Sequence, residues 1–368
     1  MDKIITEANF KEAFLAYGFD DVKSCERYGS GHINDTFLLI ENSGDKVILQ
    51  RMNTMVFKDP EMLMGNVLKV TDFLKTSIEK EGGDPKRETM SVRLTKDKKP
   101  FFKDSDDNYW RVYEFIDKAT GYDSVKRPKD FYESAYAFGK FQRYLASFDA
   151  SRLGEVIKDF HNTPKRYERF LQVVKEDVKG RAKTCQKEID FVNARAKAMS
   201  EATDMLKNGE LPLRVTHNDT KLNNVLIDDK TGMGLCVIDL DTVMPGLSIN
   251  DFGDSIRFGA NTAVEDEPDV SKVSLSLELF ECYAEGFLKG CGGKLTDNEL
   301  KMLPVGAKLM TLECGMRFLT DYLEGDVYFN TKYADHNLVR CRTQFALVKD
   351  IEDKMDKCHE IIKKVSNH

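Results

Sequence analysis

Residues 215–241 read VTHNDTKLNNVLIDDKTGMGLCVIDLD, and this stretch decides which fold we expect. Two short aliphatic runs, 225–227 and 235–238, flank a segment rich in Asp and Gly. Such an arrangement is typical of two antiparallel strands joined by a turn. The stretch therefore predicts a β-hairpin inside a part of the chain whose other segments have helical periodicity.

Three polar side chains mark the ends of this hairpin. Asp219 precedes the first strand, Asn224 opens it, and Asp239 follows the second strand. A hairpin brings the start of its first strand beside the end of its second, so the amide of Asn224 and the carboxylate of Asp239 are expected to converge. Asn and Asp are common turn residues, but the order of all three predicts a functional site.

Phosphoryl transfer is the chemistry that suits this set of side chains. Magnesium prefers oxygen ligands and binds through one or two side chains together with nucleotide phosphates, so Asn224 and Asp239 are predicted metal ligands. Asp219 would orient the acceptor hydroxyl and take its proton. The alternative is a solvated hairpin with helix-capping side chains.

Composition excludes several other classes of function. The chain has 368 residues and a net charge of −7, which argues against a nucleic-acid partner. The eight cysteines have no paired spacing, which indicates reduced thiols in a cytoplasmic protein rather than a zinc site. We also expect no secretory signal and no membrane helix, because no long apolar run occurs.

The rest of the chain divides into two regions. Residues 1–116 contain two predicted hairpins, a short amphipathic helix at 8–18 and a helix that opens at Pro60, whereas residues 117–368 are mainly helical. The predicted helices of the second region are 128–149, 163–207, 271–289, 297–312 and 337–362. The predicted fold class is α+β, with a small strand-rich N-terminal lobe and a larger helical lobe that carries the catalytic hairpin.

The motif H-x-D-x-x-x-x-N, followed by a strand ending in Ile-Asp, resembles the catalytic loop and metal-binding aspartate of protein kinases. It resembles more closely the aminoglycoside phosphotransferase and choline kinase superfamily, whose fold is protein-kinase-like. GHINDT (31–36), IDLDTVMPG (238–246) and MRFLTDYLEGDVYF (316–329) look like the N-acetylhexosamine 1-kinase branch of that superfamily.

The resemblance implies ATP and Mg²⁺ as cofactors and a small-molecule sugar as the partner. It implies transfer of the γ-phosphate to the anomeric C1 hydroxyl of GlcNAc or GalNAc. A kinase for another small alcohol (choline, homoserine, methylthioribose or an aminoglycoside) is the nearest alternative. A pseudokinase that serves as a binding module is a third, although such a module would be expected to have lost the three polar residues of the hairpin.

The resemblance also predicts the nucleotide site. The segment 27–39 looks like a nucleotide-binding hairpin whose glycines let backbone amides approach phosphates. Arg51, rather than the neighbouring Gln50, is the expected phosphate contact because Gln carries no charge. Adenine would lie against the backbone of the 113–116 strand. The predicted nucleotide-binding residues are Gly29, Ser30, Gly31, Arg51, Glu114, Phe115 and Ile116.

Acceptor contacts are predicted from two segments. His32 and Asn34 lie on the glycine turn that would overhang a bound sugar. In 316–329 and just before it, four residues are spaced i, i+4, i+8 and i+9, close to one helix face; an alternative is a ladder of solvated salt bridges. These four are Glu313, Arg317, Asp321 and Tyr322. Asp251, in an Asp-Phe-Gly sequence that resembles a kinase metal motif, is instead expected to brace the catalytic loop.

Overall fold

The computed structural model describes residues 4–29, 31, 33–125 and 127–367. Its N-terminal lobe is an antiparallel sheet of six strands in the order β1-β2-β3-β6-β4, with β5 also paired to β6. The elements of this lobe are α1 (Glu7–Tyr17), β1 (Val22–Arg27), β2 (Asp35–Glu41), β3 (Lys46–Met52), α2 (Pro60–Lys80), α3 (Pro85–Glu88), β4 (Val92–Arg93), β5 (Phe102–Lys103) and β6 (Tyr109–Glu114).

The two faces of this sheet have different partners. Val47 and Leu49 of β3 are buried with Trp110 beneath α1. Ile48 and Gln50 must point to the other face, because successive strand residues alternate. Ile48 packs against the main core of the molecule. The alternation of β3 therefore decides which polar residue, Gln50 or its neighbour, faces the second lobe.

The helix α2 ties the two lobes together. Asp59 caps it by accepting the N–H of Met62, and Pro60 occupies its first turn, as the sequence predicts. Asn66, buried in its middle, donates to the backbone oxygens of Gly154 (2.7 Å) and Val243 (2.9 Å). A polar side chain in the middle of a buried helix face is thus satisfied entirely by the second lobe.

The second lobe is helical around two small sheets, ordered β10-β9-β7 and β11-β8. The predicted boundary between residues 116 and 117 falls in the connection between β6 and β7. The elements of this lobe are β7 (Ala119–Gly121), α4 (Pro128–Tyr144), α5 (Thr163–Glu176), α6 (Gln186–Asn193), α7 (Glu201–Lys207), β8 (Arg214–Thr216), β9 (Val225–Asp228), β10 (Gly234–Val237), β11 (Met244–Gly246), α8 (Ser248–Gly259), α9 (Leu277–Cys291), α10 (Asp297–Glu324), α11 (His336–Asp353) and α12 (Met355–Ser366).

Close helix packing holds the catalytic hairpin in place. A Cβ atom on Gly139 of α4 would lie 2.2 Å from the backbone oxygen of Phe287 in α9, and one on Gly290 would lie 2.4 Å from that of Tyr136. The two helices can therefore approach this closely only because both positions are glycine. The antiparallel pair β9 and β10 lies against α4, as the hairpin prediction requires.

The long helices differ from their predicted bounds. The segment 163–207 is three helices rather than one, because the chain turns at Asp177 (φ 38°) and Gly180 (φ 65°), which have left-handed backbone conformations. The segment 337–362 is divided at Lys354. Conversely, α10 continues to Glu324 despite Pro304 within it. None of the helices described is long and apolar enough to cross a membrane.

Candidate active site

The catalytic loop follows β8 and is held from behind by α8. Asp251 is buried in the first turn of α8 and accepts the backbone N–H groups of His217 (2.9 Å) and Asn218 (2.8 Å). It also accepts a hydrogen bond from Gln142 (2.9 Å). Asn218 has a positive φ of 65°, which a non-glycine residue adopts only when its surroundings enforce it. Asp251 thus has the bracing contacts expected from the sequence.

Asp219 lies half-buried at the tip of this loop with two polar neighbours. The amide nitrogen of Asn224 donates to its backbone oxygen (2.8 Å) and to its carboxylate (3.2 Å). Lys221 lies 2.8 Å from the other carboxylate oxygen. Although burial acts in the opposite direction, the carboxylates of Asp219 and Asp254 raise the pKa of Lys221. A cation is therefore held beside the predicted proton acceptor.

Asp239 lies next to Asn224, as the hairpin predicts. The N–H of Ile238 donates to the backbone oxygen of Asn224 (2.9 Å), and Asp239 itself has a left-handed conformation (φ 59°). Its carboxylate keeps solvent access from the cleft although protein atoms surround it closely. This crowding, with the nearby carboxylates of Asp241 and Asp219, raises the pKa of Asp239 to about 7.

The donor set at this point fits Mg²⁺. The nitrogen of Asn224 is used by Asp219, which orients the amide oxygen away from that hydrogen bond. With the carboxylate of Asp239, this provides two hard oxygen ligands of the kind that magnesium prefers. The concentration of acidic groups around Asp239 also favours a divalent cation, since it neutralises their mutual repulsion.

The position of Arg51 corrects the predicted phosphate contact. Arg51 pairs in register with Asp35 and Trp110, on the sheet face covered by α1, and its Nε lies 2.8 Å from a carboxylate oxygen of Asp35. Strand alternation therefore turns Arg51 away from Asp239. Gln50 faces the cleft instead, where its amide oxygen accepts the Nε–H of Arg111 (2.9 Å).

The glycine turn lies over this network. Gly29 has a φ of 79°, and a Cβ atom on either Gly29 or Gly31 would meet nothing within 4 Å, so open space adjoins both backbones. Asn34 donates to the carboxylate of Asp241 (2.6 Å) and so lies in the cleft. Of the other predicted residues on this turn, Ser30 and His32 lie outside the described residues.

The predicted adenine segment lies at the connection between the lobes. Glu114 ends β6, and its carboxylate makes two hydrogen bonds of 2.7 Å with Arg93. The ring of Phe115 lies beneath the Lys46 ammonium (5.2 Å), and Ile116 is buried in the main core. The side chains of these three residues therefore contact other residues of the protein. The prediction that they bind a nucleotide rests on their backbone atoms.

The four residues predicted on α10 do not act as one face. Glu313 is fully buried, where it lies 2.8 Å from His161 and accepts the hydroxyl of Thr163 (2.7 Å). Tyr322 points to another side of the helix, with its hydroxyl 3.0 Å from Asp335. The expectation that both would contact a sugar is corrected by these internal partners. A helix face that is buried binds its own lobe rather than a ligand.

Asp321 has a structural role as well. Its carboxylate accepts the backbone N–H groups of Val327, Tyr328 (both 2.8 Å) and Phe329 (3.0 Å), together with the amide of Asn337 (2.8 Å). Both carboxylate oxygens of Asp321 thus accept hydrogen bonds from Asn337 and from the loop that follows α10. The prediction that Asp321 contacts a sugar is therefore also corrected. The effect of these hydrogen bonds is to hold the ring of Tyr328 in position.

Arg317 lines a cavity, as does Asp321 among the other predicted α10 residues. Its guanidinium lies over the rings of Phe160 (5.3 Å), Phe329 (5.6 Å) and Tyr328 (5.9 Å). The cavity has a volume of about 210 Å³. Its lining is dominated by cationic and aromatic side chains: Arg166, Arg169, Met316, Arg317, Thr320, Asp321, Glu324, Tyr328 and Phe329.

Two consecutive residues, Phe160 and His161, connect the lining of this cavity with the catalytic loop. Phe160 carries the ring beneath Arg317, and its backbone oxygen accepts two hydrogen bonds from Arg166 (3.1 and 3.2 Å). The next residue, His161, lies 3.4 Å from the backbone oxygen of Asn218. Burial and the neighbouring charge of Arg317 lower the pKa of Arg166, although the charges of Glu313 and Asp159 act in the opposite direction.

Several residues of this site were not predicted. Lys221 and Arg111 had a signal, since one is a cation two residues after Asp219 and the other a charge within an apolar strand. No signal in the sequence indicated Arg166, Phe160 or His161, because these residues reach the site from a segment that is remote in sequence.

Comparison with known proteins identifies solved structures of similar fold. An aminoglycoside phosphotransferase from Alicyclobacillus acidocaldarius has a TM-score of 0.62 at 12% identity, covering 100% of this chain and 98% of the other. A microcompartment-associated aminopropanol kinase gives 0.61 at 15% identity (95% and 98% covered). A spectinomycin phosphotransferase in complex with ADP and spectinomycin gives 0.58 at 14% identity (100% of both chains).

At such identities these structures establish the fold alone, which is the protein-kinase-like arrangement of an antiparallel-sheet lobe and a helical lobe. The family itself is established by sequence. The model of the phosphotransferase enzyme family, APH, matches residues 24–273, which include the glycine turn, the catalytic loop and α8. The chain is a member of the APH phosphotransferase enzyme family.

Proposed function

We propose that this protein is a Mg²⁺- and ATP-dependent kinase that phosphorylates the anomeric C1 hydroxyl of an N-acetylhexosamine such as GlcNAc or GalNAc. The observation that carries the acceptor assignment is the cavity of about 210 Å³ lined by Arg166, Arg317 and Tyr328, which Phe160 and His161 connect with the catalytic loop. Aromatic rings and guanidinium groups suit a polyol, because rings cover its apolar faces while guanidinium donates to its oxygens.

Charge separates a sugar from the amino alcohols. Proteins with this fold include an ethanolamine kinase and a choline kinase, whose named acceptors are cations. Three arginines line the cavity here against Asp321, whose carboxylate is used by backbone amides, and Glu324, which is paired with Arg169. A quaternary or protonated amine would be repelled from this cavity, whereas a neutral N-acetylated sugar would not.

The catalytic groups have distinct proposed roles. Asp219 accepts the proton of the C1 hydroxyl as the sugar oxygen forms its bond to the γ-phosphorus, and the bond from that phosphorus to the β–γ bridging oxygen breaks. Lys221, held 2.8 Å from Asp219, is placed to offset the negative charge of the transferred group. Asn224 and Asp239 would hold Mg²⁺, which when bound neutralises phosphate charge.

The nucleotide is proposed to enter between the lobes. Adenine would lie against the backbone of Glu114, Phe115 and Ile116, at the boundary that we propose between an N-terminal lobe (1–116) and a catalytic lobe (117–368). Phosphates would approach the backbone at Gly29 and Gly31, next to which there is open space. Several proteins of this fold were solved with AMP-PNP or ADP bound, which supports a nucleotide in this cleft.

Turnover with a panel of acceptors tests the proposal. Purified protein, ATP and Mg²⁺ are incubated with GlcNAc, GalNAc, glucose, choline or ethanolamine, and the products are analysed by ³¹P NMR. We expect a C1 phosphomonoester from the two N-acetylated sugars. Glucose should be poorer by a large factor, because it leaves groups that would bind the acetamido substituent unpaired.

Two results would contradict this assignment. Phosphorylation at C6 would show that the acceptor enters in another orientation. Equal turnover of choline and GlcNAc would show that the arginine-lined cavity does not select the acceptor, while leaving a small-alcohol kinase intact.

A further inference from the structure

Arg111 is a buried cation on the cleft face of the N-terminal sheet. It lies on β6 directly opposite Gln50 of β3, so both side chains point to the same face. The side chain of Arg111 is 1% exposed. A lone charge at such a depth requires an opposite charge and further hydrogen bonds, and these identify what the residue does.

The guanidinium of Arg111 reaches across to the loop that carries Asp239. One terminal nitrogen donates to a carboxylate oxygen of Asp241 (2.8 Å), and the other forms an ion pair with the second oxygen at 2.5 Å. Its Nε donates to Gln50 (2.9 Å), whose own amide nitrogen donates to Thr36 (2.9 Å). Both ends of the fork are therefore fixed: one to the sheet and the other to the metal-binding loop.

Asp241 receives a second contact from the N-terminal lobe. Asn34 donates to one carboxylate oxygen of Asp241 (2.6 Å), and the side chain of Asp241 is 4% exposed. Asp241 lies two residues after Asp239, in the short 3₁₀ turn Leu240–Thr242 that follows. The turn starts from the left-handed conformation of Asp239, which is unfavourable for a residue with a side chain and is kept only when neighbouring contacts enforce it.

Protein kinases align the same region differently. They pair a lysine on the third strand with a glutamate on the following helix, and that pair must be in place for activity. Here the cleft-facing position of the strand is Gln50, and the middle of the helix presents Asn66, which bonds to Gly154 and Val243. Neither of these two residues carries the charge that this pair requires.

We infer that Arg111 is a positioning residue: through its bidentate ion pair with Asp241, it holds the Asp239 turn in the conformation that binds metal and nucleotide. In this protein the cation is Arg111, on the strand next to β3. Its acidic partner is Asp241, on the proposed metal-binding loop rather than on the helix. This inference rests on the proposed metal site at Asn224 and Asp239. It adds the proposal that metal binding at this site depends on contacts from the N-terminal lobe.

Binding of AMP-PNP at a series of Mg²⁺ concentrations, measured by titration calorimetry, tests the inference without turnover. Arg111→Met and Asp241→Asn should each raise the Mg²⁺ concentration for half-maximal binding by roughly tenfold or more, as is usual when the support of a metal ligand is removed. Arg111→Lys keeps the charge but not the fork, so its shift should be smaller. In turnover assays, kcat should fall while KM for the acceptor stays unchanged.

A matched control is the buried pair formed by Arg214 and Glu299, which is also bidentate (2.8 and 2.6 Å) but lies at the far end of β8. Arg214→Met should lower the Tm without changing the Mg²⁺ requirement. If Arg111→Met does not fold, the double variant Arg111→Met/Asp241→Leu replaces it, because exchanging a whole buried pair for apolar residues is generally tolerated.

An unchanged Mg²⁺ requirement in the folded variants would overturn the inference. So would a change in Arg111→Met with none in Asp241→Asn, since the effect would then not pass through Asp241. Asp239→Asn in the same titration separates the two levels of the argument. If that variant binds normally, the proposed metal site itself is wrong; if it fails while Arg111→Met binds normally, only the role of Arg111 is wrong.

Discussion

The ring of His161 links α10 to the catalytic loop: its Nδ1 lies 2.8 Å from a carboxylate oxygen of Glu313 and its Nε2 lies 3.4 Å from the backbone oxygen of Asn218. Glu313 is fully buried, and Thr163 at the start of α5 donates to its second oxygen. The helix that bears Arg317 is therefore joined to the residue that precedes Asp219. The cavity-lining helix α10 is thus connected to the catalytic loop through Glu313 and His161.

This relationship gives a pH-dependent stability. Although burial opposes it, His161, Arg317 and Thr163 together lower the pKa of Glu313 in the folded protein. A group with a lowered folded pKa stabilises the protein above its unfolded pKa, and this contribution disappears as the pH falls through the folded value. Glu313→Gln should consequently lower the Tm at pH 7, and the gap to wild type should narrow below about pH 4, near the usual glutamate pKa.

Thermal denaturation of both proteins between neutral and acidic pH measures that gap. Glu168→Gln, which changes an exposed acid paired with Lys165 at the surface of α5, is a suitable control and should show little difference from wild type at any pH. A gap between Glu313→Gln and wild type that stays constant with pH would show that Glu313 contributes by packing alone.

Asp219→Asn should nearly abolish turnover while ATP binding is retained. The change removes the proton acceptor but keeps the shape of the side chain. Because positioned acid–base groups contribute about 10²–10⁴-fold, we expect kcat to fall within that range and the Kd for AMP-PNP to stay near wild type. Steady-state kinetics and calorimetry check the two parts separately. Residual kcat above about a tenth of wild type would contradict the assigned role.

Asp239→Ala and Asp251→Ala should have different effects, although both are aspartates near the catalytic loop. Asp239→Ala should weaken Mg²⁺-dependent nucleotide binding and leave the Tm largely unchanged. Asp251→Ala leaves the N–H groups of His217 and Asn218 without their acceptor. A buried unsatisfied group costs about 1–3 kcal/mol, so this variant should mainly lose stability.

Urea denaturation and Mg²⁺ titration of both proteins separate these effects. If the Mg²⁺ requirement followed Asp251 rather than Asp239, the Asp-Phe-Gly sequence would be the metal site, and the hairpin interpretation would be wrong.

Arg317→Gln should raise the KM for GlcNAc by about 10–100-fold, which corresponds to the loss of a hydrogen bond from a charged group. The KM for ATP should not change, because Arg317 lies in the acceptor cavity and not at the glycine turn. Arg340→Gln is a matched control, since Arg340 also lies over an aromatic ring, that of Phe318, but does not line the cavity. Equal effects of the two substitutions would contradict an acceptor role for the cavity.

Local sequence was sufficient for the elements that carry the chemistry. Alternation and turn residues predicted the hairpin that brings Asn224 beside Asp239, and the Pro60 helix start was predicted from its proline. The helix bounds within 163–207 were not predicted, because Asp177 and Gly180 end a helix without interrupting the pattern of charged residues. Backbone conformation at a single residue decides such breaks, and composition does not show it.

Residue types and their spacing by themselves predicted a small strand-rich lobe, a larger helical lobe and the loop that carries Asp219, Asn224 and Asp239. The phosphotransferase fold was implied by the resemblance to a known family. Only tertiary structure decided which cation faces the cleft, because strand register turns Arg51 to one side and Arg111 to the other. It also decided that Glu313 and Asp321 serve the protein rather than a ligand. A polar side chain on a helix follows the same sequence periodicity whether it binds a ligand or another part of the protein. Its role is decided by the residues that contact it, and these come from segments distant in sequence.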